Sequence, residues 1–381
     1  TFDKADDPLA YRYGTGYRRA TEWRDSIRVR ANDGSFSWRQ LTLRRTHHGP
    51  ILGRRGNRWI AVNFAGVAHG GIIPQWYAMG KARTLAEFRQ ALDINGLVSH
   101  NVMYADTAGH IYYLHASPVP RRDTTLDWRG ILDGTDPRSD WRGFHTPAEM
   151  PQVLDPPSGW MQNTNSTPFL TTTADANPRR ADFPKYIGLH ADNWRARASR
   201  ALLSRPGKFT FDEWSAMAFD RYFYAADRDL PLLFVDHQLL TAVDPARAQR
   251  LTPMIDSLRG WDRRGSATSV AALWFARYQA LTVPRDRRGD TTTFYRVAAL
   301  EQVRDSLQAT FGRAEVPMGE VLRLQRLDLR HGITTYSDDR PSFPLPSGPA
   351  QWTGSIFTVG TQASRTTRRE YDVAGSAFVA V

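Results

Sequence analysis

Gly159-Trp160-Met161-Gln162-Asn163-Thr164-Asn165-Ser166-Thr167-Pro168 is the stretch on which the reading of this chain turns. It follows a proline-rich approach, Met150-Pro151 and Asp155-Pro156-Pro157-Ser158. Proline and glycine on both sides exclude a regular helix and disfavour an interior strand, so the two asparagines at i and i+2 fall in a constrained loop. Such amides have two common uses. Asn, Ser and Thr cluster in turns because their side chains bond neighbouring backbone. Alternatively, an amide N–H held in place stabilises the negative charge of a tetrahedral intermediate in acyl transfer. The loop alone favours the first use, and the sequence around it has to decide.

With 381 residues, 41% of them hydrophobic and 12% aromatic, the chain is globular and long enough for one large core or two domains. No apolar run approaches membrane-spanning length, and the polar N-terminus has no signal-peptide core. No membrane association is therefore expected, and either the protein is not exported or this segment is not its natural start. The absence of cysteine removes disulfides, thiolate metal sites and cysteine nucleophiles together.

The net charge of +11 invites a nucleic-acid reading, which the distribution opposes. Lysine occurs only at Lys4, Lys81, Lys185 and Lys208, so arginine carries most of the 50 basic residues, scattered among 39 acids. The clusters are short, as in Arg285-Asp286-Arg287-Arg288, and no helix-turn-helix, RRM or zinc-knuckle signature accompanies them. No nucleic-acid partner is expected.

The first third reads as β-rich. Residues 11–17, 25–30, 35–43 and 59–64 are short, mostly alternating runs, split by turn signals at Asn32-Asp33-Gly34 and Gly53 to Gly56. Thr84-Leu85-Ala86-Glu87 opens a helix with a capping-box pattern that Asn95-Gly96 closes. Residues 101–105 and 110–115 read as a hairpin around Asp106-Thr107-Ala108-Gly109. From Asp192 the period changes to about 3.6, with helices expected over 195–203, 209–221, 231–241, 245–259, 269–282 and 294–311, the last stopped by Gly312. The tail from Thr334 returns to β-like sequence. Strands, a helical block and strands again describe an α+β protein, divided as 1–190, 191–333 and 334–381.

Several catalytic engines are absent: His-Glu-x-x-His, a Gly-x-Ser-x-Gly elbow, a phosphate loop and Gly-x-Gly-x-x-Gly. His47-His48, in Arg45-Thr46-His47-His48-Gly49-Pro50-Ile51, reads as structural, because adjacent strand residues point to opposite faces and a metal needs further ligands. Asp106, Asp133 and Asp136 are loop acids, and nothing in their spacing fixes a calcium ligand set. No cofactor is expected to be required.

Thr46-His47-His48-Gly49-Pro50-Ile51 resembles the His-Gly-Pro strand of the penicillin acylase family. Asn101-Val102-Met103-Tyr104-Ala105-Asp106, with Gly109-His110-Ile111-Tyr112-Tyr113, is similar to that family's Asn-x-x-x-Ala-Asp-x-x-Gly-x-Ile hairpin. Asp133-Gly134, Asp140-Trp141-Arg142-Gly143 and the Gly-Trp-Met-Gln-Asn-Thr-Asn loop follow in the family's order, and Phe219-Asp220 and residues 258–262 with Ser269 resemble its helical region. The closest flavour is the branch of acyl-homoserine-lactone and cyclic-lipopeptide acylases.

The resemblance implies an N-terminal nucleophile hydrolase-like αββα sandwich, here incomplete, with a helical block inserted. It implies a precursor that cleaves itself, and a new N-terminal serine whose α-amino group serves as base. One backbone N–H and one asparagine side chain would hold the oxyanion. By the match that asparagine is Asn165, with Asn163 tying the loop down. An arginine downstream organises the centre; Arg195 fits best, with Arg197 and Arg200 as rivals and a solvated or salt-bridged face as the ordinary alternative. Trp160, Phe169 and Trp194 are candidates for an acyl pocket, although aromatics near a loop more often pack in a core.

Nothing in the chain matches the family's Ser-Asn nucleophile block. Thr1 is the obvious substitute, yet Thr1-Phe2-Asp3-Lys4-Ala5-Asp6-Asp7-Pro8 resembles an interior strand and loop. The C-terminal run Gly375-Ser376-Ala377-Phe378-Val379-Ala380-Val381 is β-like and lacks its usual continuation. The expectation is therefore an internal piece of the large chain, inactive alone, from a periplasmic or secreted N-acyl amide hydrolase. Its implied partners are the small chain of the same precursor and an N-acylated small molecule: an acyl-homoserine lactone, a lipopeptide or a β-lactam amide. The rival expectation is an acylase-like binding protein that lost its nucleophile.

Overall fold

The computed structural model describes residues 4, 6–31, 33–56, 58–66, 70–364 and 366–375. The expectations for Thr1 and for the run after Gly375 lie outside these residues. The chain forms two compact units, one ending at Ala191 and one beginning at Asp192.

In the first unit, β1 (Ala10–Tyr13) and β2 (Gly16–Arg19) pair as a hairpin where the sequence suggests one strand. Gly14, at φ 57°, supplies the left-handed turn residue that reverses the chain. Strands β3 (Thr21–Arg30) and β4 (Phe36–Thr46) pair antiparallel from Thr21↔Arg45 to Arg30↔Phe36. Their turn is closed by the Asp33 carboxylate, which accepts from Ser35 N–H at 2.9 Å. β5 (Gly49–Arg55) and β6 (Arg58–Ala61) complete a four-stranded sheet in the order β3-β4-β5-β6. Gly49 is required at the β4–β5 turn: its φ is 116°, and a Cβ there would sit 2.0 Å from the Val62 carbonyl oxygen.

The expected hairpin is present as β7 (Val102–Ala105) and β8 (Ile111–Leu114), and β9 (Gln152–Leu154) adds a third strand on the other side of β8. Side chains on β8 alternate in direction. Tyr112 and Leu114 join a core with Phe88, Leu92, Leu97, Val102, Met150 and Ile187. Tyr113 belongs to the opposite face and is fully buried there. The helix Leu85–Leu92 faces this core with Phe88, Ala91 and Leu92, the i, i+3, i+4 stripe of an amphipathic helix. Thr84 caps it by accepting Glu87 N–H at 3.2 Å, while Glu87 Oε2 reaches back to Arg83 N–H at 2.7 Å, one residue beyond the standard capping box. The neighbouring helix Ile72–Lys81 is not signalled by the sequence pattern, since most of its apolar residues stay exposed and Gln75 is the one buried.

The second unit is built on the helices Trp194–Leu203, Phe211–Ala218, Ala225–Val243, Pro245–Gly260, Val270–Arg287 and Tyr295–Phe311. Val270–Arg287 is central, with buried residues on every side from Ala271 to Val283. Around it pack Leu230, Leu233, Leu251, Ile255, Leu258, Leu300, Val303 and Leu307, among others. The third helix starts at Ala225, not at Pro231, which lies inside it. Burial of Ala225, Ala226, Leu230 and Leu233 outweighs the roughly 3 kcal/mol that an interior proline costs a helix. Gly312, at φ 75°, ends Tyr295–Phe311 as expected. The strands β10 (Leu322–Leu324), β11 (Phe343–Pro344), β12 (Val359–Ala363) and β13 (Glu370–Gly375) form a sheet in the order β11-β10-β13-β12, with β10 and β13 parallel. The architecture is α+β. Among the described residues no helix is long and apolar enough to cross a membrane.

Candidate active site

The asparagine loop leaves β9 through Asp155, which adopts φ 45°. The Asp155 carboxylate accepts Ile111 N–H at 2.8 Å and meets His110 Nδ1 at 2.8 Å. That hydrogen bond raises the His110 pKa above its ordinary value. Gly159, at φ 70°, turns the chain by donating its N–H to the Pro156 carbonyl at 2.9 Å.

Both ends of the loop are then pinned. Gln162 donates its N–H to the Thr171 carbonyl at 2.8 Å and its Nε2 to the Leu170 carbonyl at 2.7 Å. Thr172 Oγ1 donates to the Trp160 carbonyl at 2.9 Å. Asn177 Oδ1 accepts the N–H groups of Thr171 and Thr172 at 2.7 and 3.0 Å, and its Nδ2 donates to the carbonyls of Thr172 and Thr173 at 3.0 and 2.9 Å.

The two asparagines behave differently within this frame. Asn163 Oδ1 accepts Asn165 N–H at 2.9 Å, an Asx-type turn, and its Nδ2 donates at 3.3 Å to the Ser166 carbonyl and to Tyr113 Oη. Asn163 is thus the structural member of the pair. Asn165 takes φ 58° and is exposed. Asparagine is one of the few L-residues that visits this left-handed region readily.

A buried polar chain supports Asn163 from below. Tyr113 Oη donates to Asn101 Oδ1 at 2.8 Å, and His115 Nδ1 reaches the same oxygen at 2.9 Å. Since an amide oxygen only accepts, Nδ1 carries the proton of the His115 ring. Burial pushes the His115 pKa down to about 4, with His190 adding to the effect. Burial likewise raises the Tyr113 hydroxyl well above its ordinary value, so Tyr113 keeps the proton it donates. Asn101 and Tyr113 lie in the hairpin motif, but pattern alone did not mark them as supports, and Asn177 had no signal beyond an Asn-Pro turn.

Arg195 lies in the first turn of Trp194–Leu203, which Asn193 caps by accepting Ala196 N–H at 3.0 Å. It is half-buried, and burial lowers its guanidinium pKa. Its rivals both engage Asp192: Arg197 Nε at 2.9 Å, and one terminal nitrogen of Arg200 at 2.9 and 3.0 Å to the two oxygens. Trp194 lies under the guanidinium groups of Arg197 and Arg228 and packs on the helical core. Phe169 packs on Phe183, with Arg180 over its ring. Trp160 is half-buried and serves the loop through its carbonyl.

The loop acids close local turns. Asp106 accepts from His110 N–H and Tyr104 Oη, Asp133 from Thr135, and Asp136 holds Arg138. His47 and His48 depart from the strand argument, because they occupy the turn between β4 and β5, where period-two alternation does not apply. Their ring centroids are 3.7 Å apart, on one side of the turn.

A fold of this α+β class has known counterparts. A profile of the penicillin amidase family matches residues 3–381, and the chain belongs to that family. It is 26% identical over 285 residues to the acyl-homoserine lactone acylase PvdQ of Pseudomonas savastanoi pv. phaseolicola (strain 1448A / Race 6), covering 66% of this chain and 35% of that protein. It is 26% identical over 273 residues to the penicillin acylase 2 proenzyme of Pseudomonas sp. (strain SE83), covering 70% of this chain and 32% of that one. The chain therefore spans about a third of the length of the curated relatives it matches. A solved thermostable penicillin G acylase from Alcaligenes faecalis matches with a TM-score of 0.57 at 18% identity, over 76% of this chain and 51% of that one. That likeness bears out the N-terminal nucleophile hydrolase-like fold.

Proposed function

We propose that the protein carrying this chain hydrolyses N-acyl amides through an acyl-enzyme, with Asn165 as one donor of the oxyanion hole. The reading rests on family membership, and the single observation that carries it is the geometry of the loop. Asn165 is exposed at φ 58° on a backbone fixed from both sides, with its N–H held by Asn163 Oδ1. A preorganised amide is what oxyanion stabilisation requires, because no reorganisation is then needed as charge develops.

In this mechanism an N-terminal serine, contributed by a segment outside these 381 residues, attacks the amide carbonyl. Its α-amino group takes the hydroxyl proton and passes it to the departing amine. Asn165 Nδ2 and a backbone N–H hold the oxyanion, and water then releases the acid from the ester. The serine is exposed by self-cleavage of a precursor that also supplies a small chain. The relatives named as acyl-homoserine lactone and penicillin acylases support an N-acylated small molecule as substrate, so the reaction would degrade a quorum signal or an antibiotic, in the periplasm or outside the cell.

The test is expression of the complete gene product, N-terminal sequencing of its chains, and mass spectrometry during turnover of N-acyl-homoserine lactones, a lipopeptide and a penicillin. The expected result is a new N-terminal serine that carries the acyl group transiently. Binding of these amides without turnover or adduct would overturn the proposal in favour of a non-catalytic acylase-like protein.

A further inference from the structure

The β4–β5 turn and the loop around Asp140 bring three potential metal ligands together. His47 Nε2, His48 Nδ1 and the Asp140 carboxylate oxygens lie within 4.8 Å of one another, the one such cluster among the described residues. His47 Nε2 is 3.0 Å and His48 Nδ1 3.6 Å from the same Asp140 Oδ1. Tetrahedral coordination at zinc-like bond lengths separates donor atoms by about 3.3 Å, so these spacings suit a shared ion.

The outer contacts decide which atoms are available. His48 Nε2 lies 2.7 Å from the Gly134 carbonyl, which can only accept, so Nε2 carries a proton. In a neutral ring this leaves the Nδ1 lone pair facing Asp140 Oδ1, two acceptors in opposition unless a cation lies between them. A Cβ at position 134 would come 3.0 Å from His48 Nε2, so glycine there lets the ring approach that carbonyl. His47 Nδ1 is bonded to Tyr11 Oη at 2.7 Å, which leaves Nε2 as its ligand atom. Tyr13 Oη donates to Asp140 Oδ2, which leaves Oδ1. Each candidate ligand therefore has its far atom held and its near atom turned inward, the arrangement that orients ligands in metal sites.

From this geometry we infer that His47, His48 and Asp140 form a binding site for one divalent transition-metal ion of the zinc class. Two imidazole nitrogens favour such an ion over calcium, which takes six to eight oxygens. The three side chains are 21%, 19% and 29% exposed, open enough for an ion to enter. His48 also lines a cleft of about 1040 Å³ with Tyr11, Trp59, Asp133, Gly134 and Trp141, so an exogenous group could complete the coordination. The ion would cross-link the β4–β5 turn and the loop at Asp140, with Tyr11 and Tyr13 of β1 holding the far atoms of two ligands.

The test is titration of the metal-free chain with Co²⁺, followed by visible absorption, and then displacement by Zn²⁺. The expected result is one Co²⁺ per chain with ligand-field bands, and at least about tenfold weaker binding in Asp140→Asn and His48→Gln but not in His110→Gln. Circular dichroism separates loss of ligand from loss of fold. In wild-type protein, Zn²⁺ should also shift the imidazole resonances of His47 and His48 and leave those of His115 in place. No stoichiometric Co²⁺ spectrum, binding unchanged in folded Asp140→Asn, or shifts confined to other histidines would each overturn the site.

Discussion

Asn163 Nδ2 lies 3.3 Å from Tyr113 Oη, joining the asparagine loop to the buried face of the central strand β8. Tyr113 in turn donates to Asn101 Oδ1, so its hydroxyl links two asparagines distant in sequence. Tyr113→Phe keeps the ring and removes both bonds, while Asn163 Nδ2 keeps the Ser166 carbonyl and Asn101 Oδ1 keeps His115 Nδ1, so the cost is that of two lost hydrogen bonds. The expected destabilisation is about 1–3 kcal/mol, read by urea unfolding. A change near zero would show that the link does not hold the loop.

His115 makes the same network sensitive to acid. Its pKa is depressed in the folded state from 6.5 to about 4, because burial penalises the imidazolium. Above 6.5 the ring is neutral in both states and its contribution is complete. Between 6.5 and 4 the unfolded chain takes up a proton that the folded chain refuses, so stability falls as pH falls. The loss is about 1.4 kcal/mol per pH unit, roughly 3 kcal/mol in all. Unfolding free energies of wild type and His115→Asn, compared at pH 7.5 and 4.5, should converge toward the acid side. A difference independent of pH would contradict the assignment.

Gly49 is set by the backbone and not by chemistry at the site. With φ at 116° and the Val62 carbonyl oxygen 2.0 Å from any Cβ, Gly49→Ala forces the β4–β5 turn to move. Destabilisation of more than about 2 kcal/mol is expected in thermal or urea unfolding. Near-wild-type stability would mean that the turn relaxes at little cost.

The parts of the fold legible in the sequence are those where local chemistry and tertiary structure agree. Thr210 and Glu213 form a capping box at the start of a helix expected over 209–221, Gly312 ends its helix, and Asp106 with Gly109 closes the β7–β8 hairpin. The misreadings arose where one residue overrode a pattern. Gly14 splits an alternating run into a hairpin, and Pro231 opens a helix by local rules but sits inside one held by buried Ala225 and Leu233. At the site, the resemblance singles out Asn165 as the oxyanion donor and Asn163 as the residue tying the loop down, and the hydrogen bonds of Asn163 to Asn165 N–H and the Ser166 carbonyl accord with the second of these. The supports Asn101, Tyr113 and Asn177 were not legible, because their roles depend on side chains that meet only after folding. The approach of His48 to Asp140 was hidden for the same reason.

Asn165 carries the central claim, and its left-handed backbone dictates the variant. Glycine tolerates φ 58° without strain, so Asn165→Gly removes the amide and leaves the loop geometry in place. The most direct measurement is kcat of this variant against wild type in the complete, processed enzyme on an N-acyl amide it turns over. The account predicts a fall of about 10²–10³-fold in kcat, the effect of losing one oxyanion donor. A kcat close to wild type would contradict it.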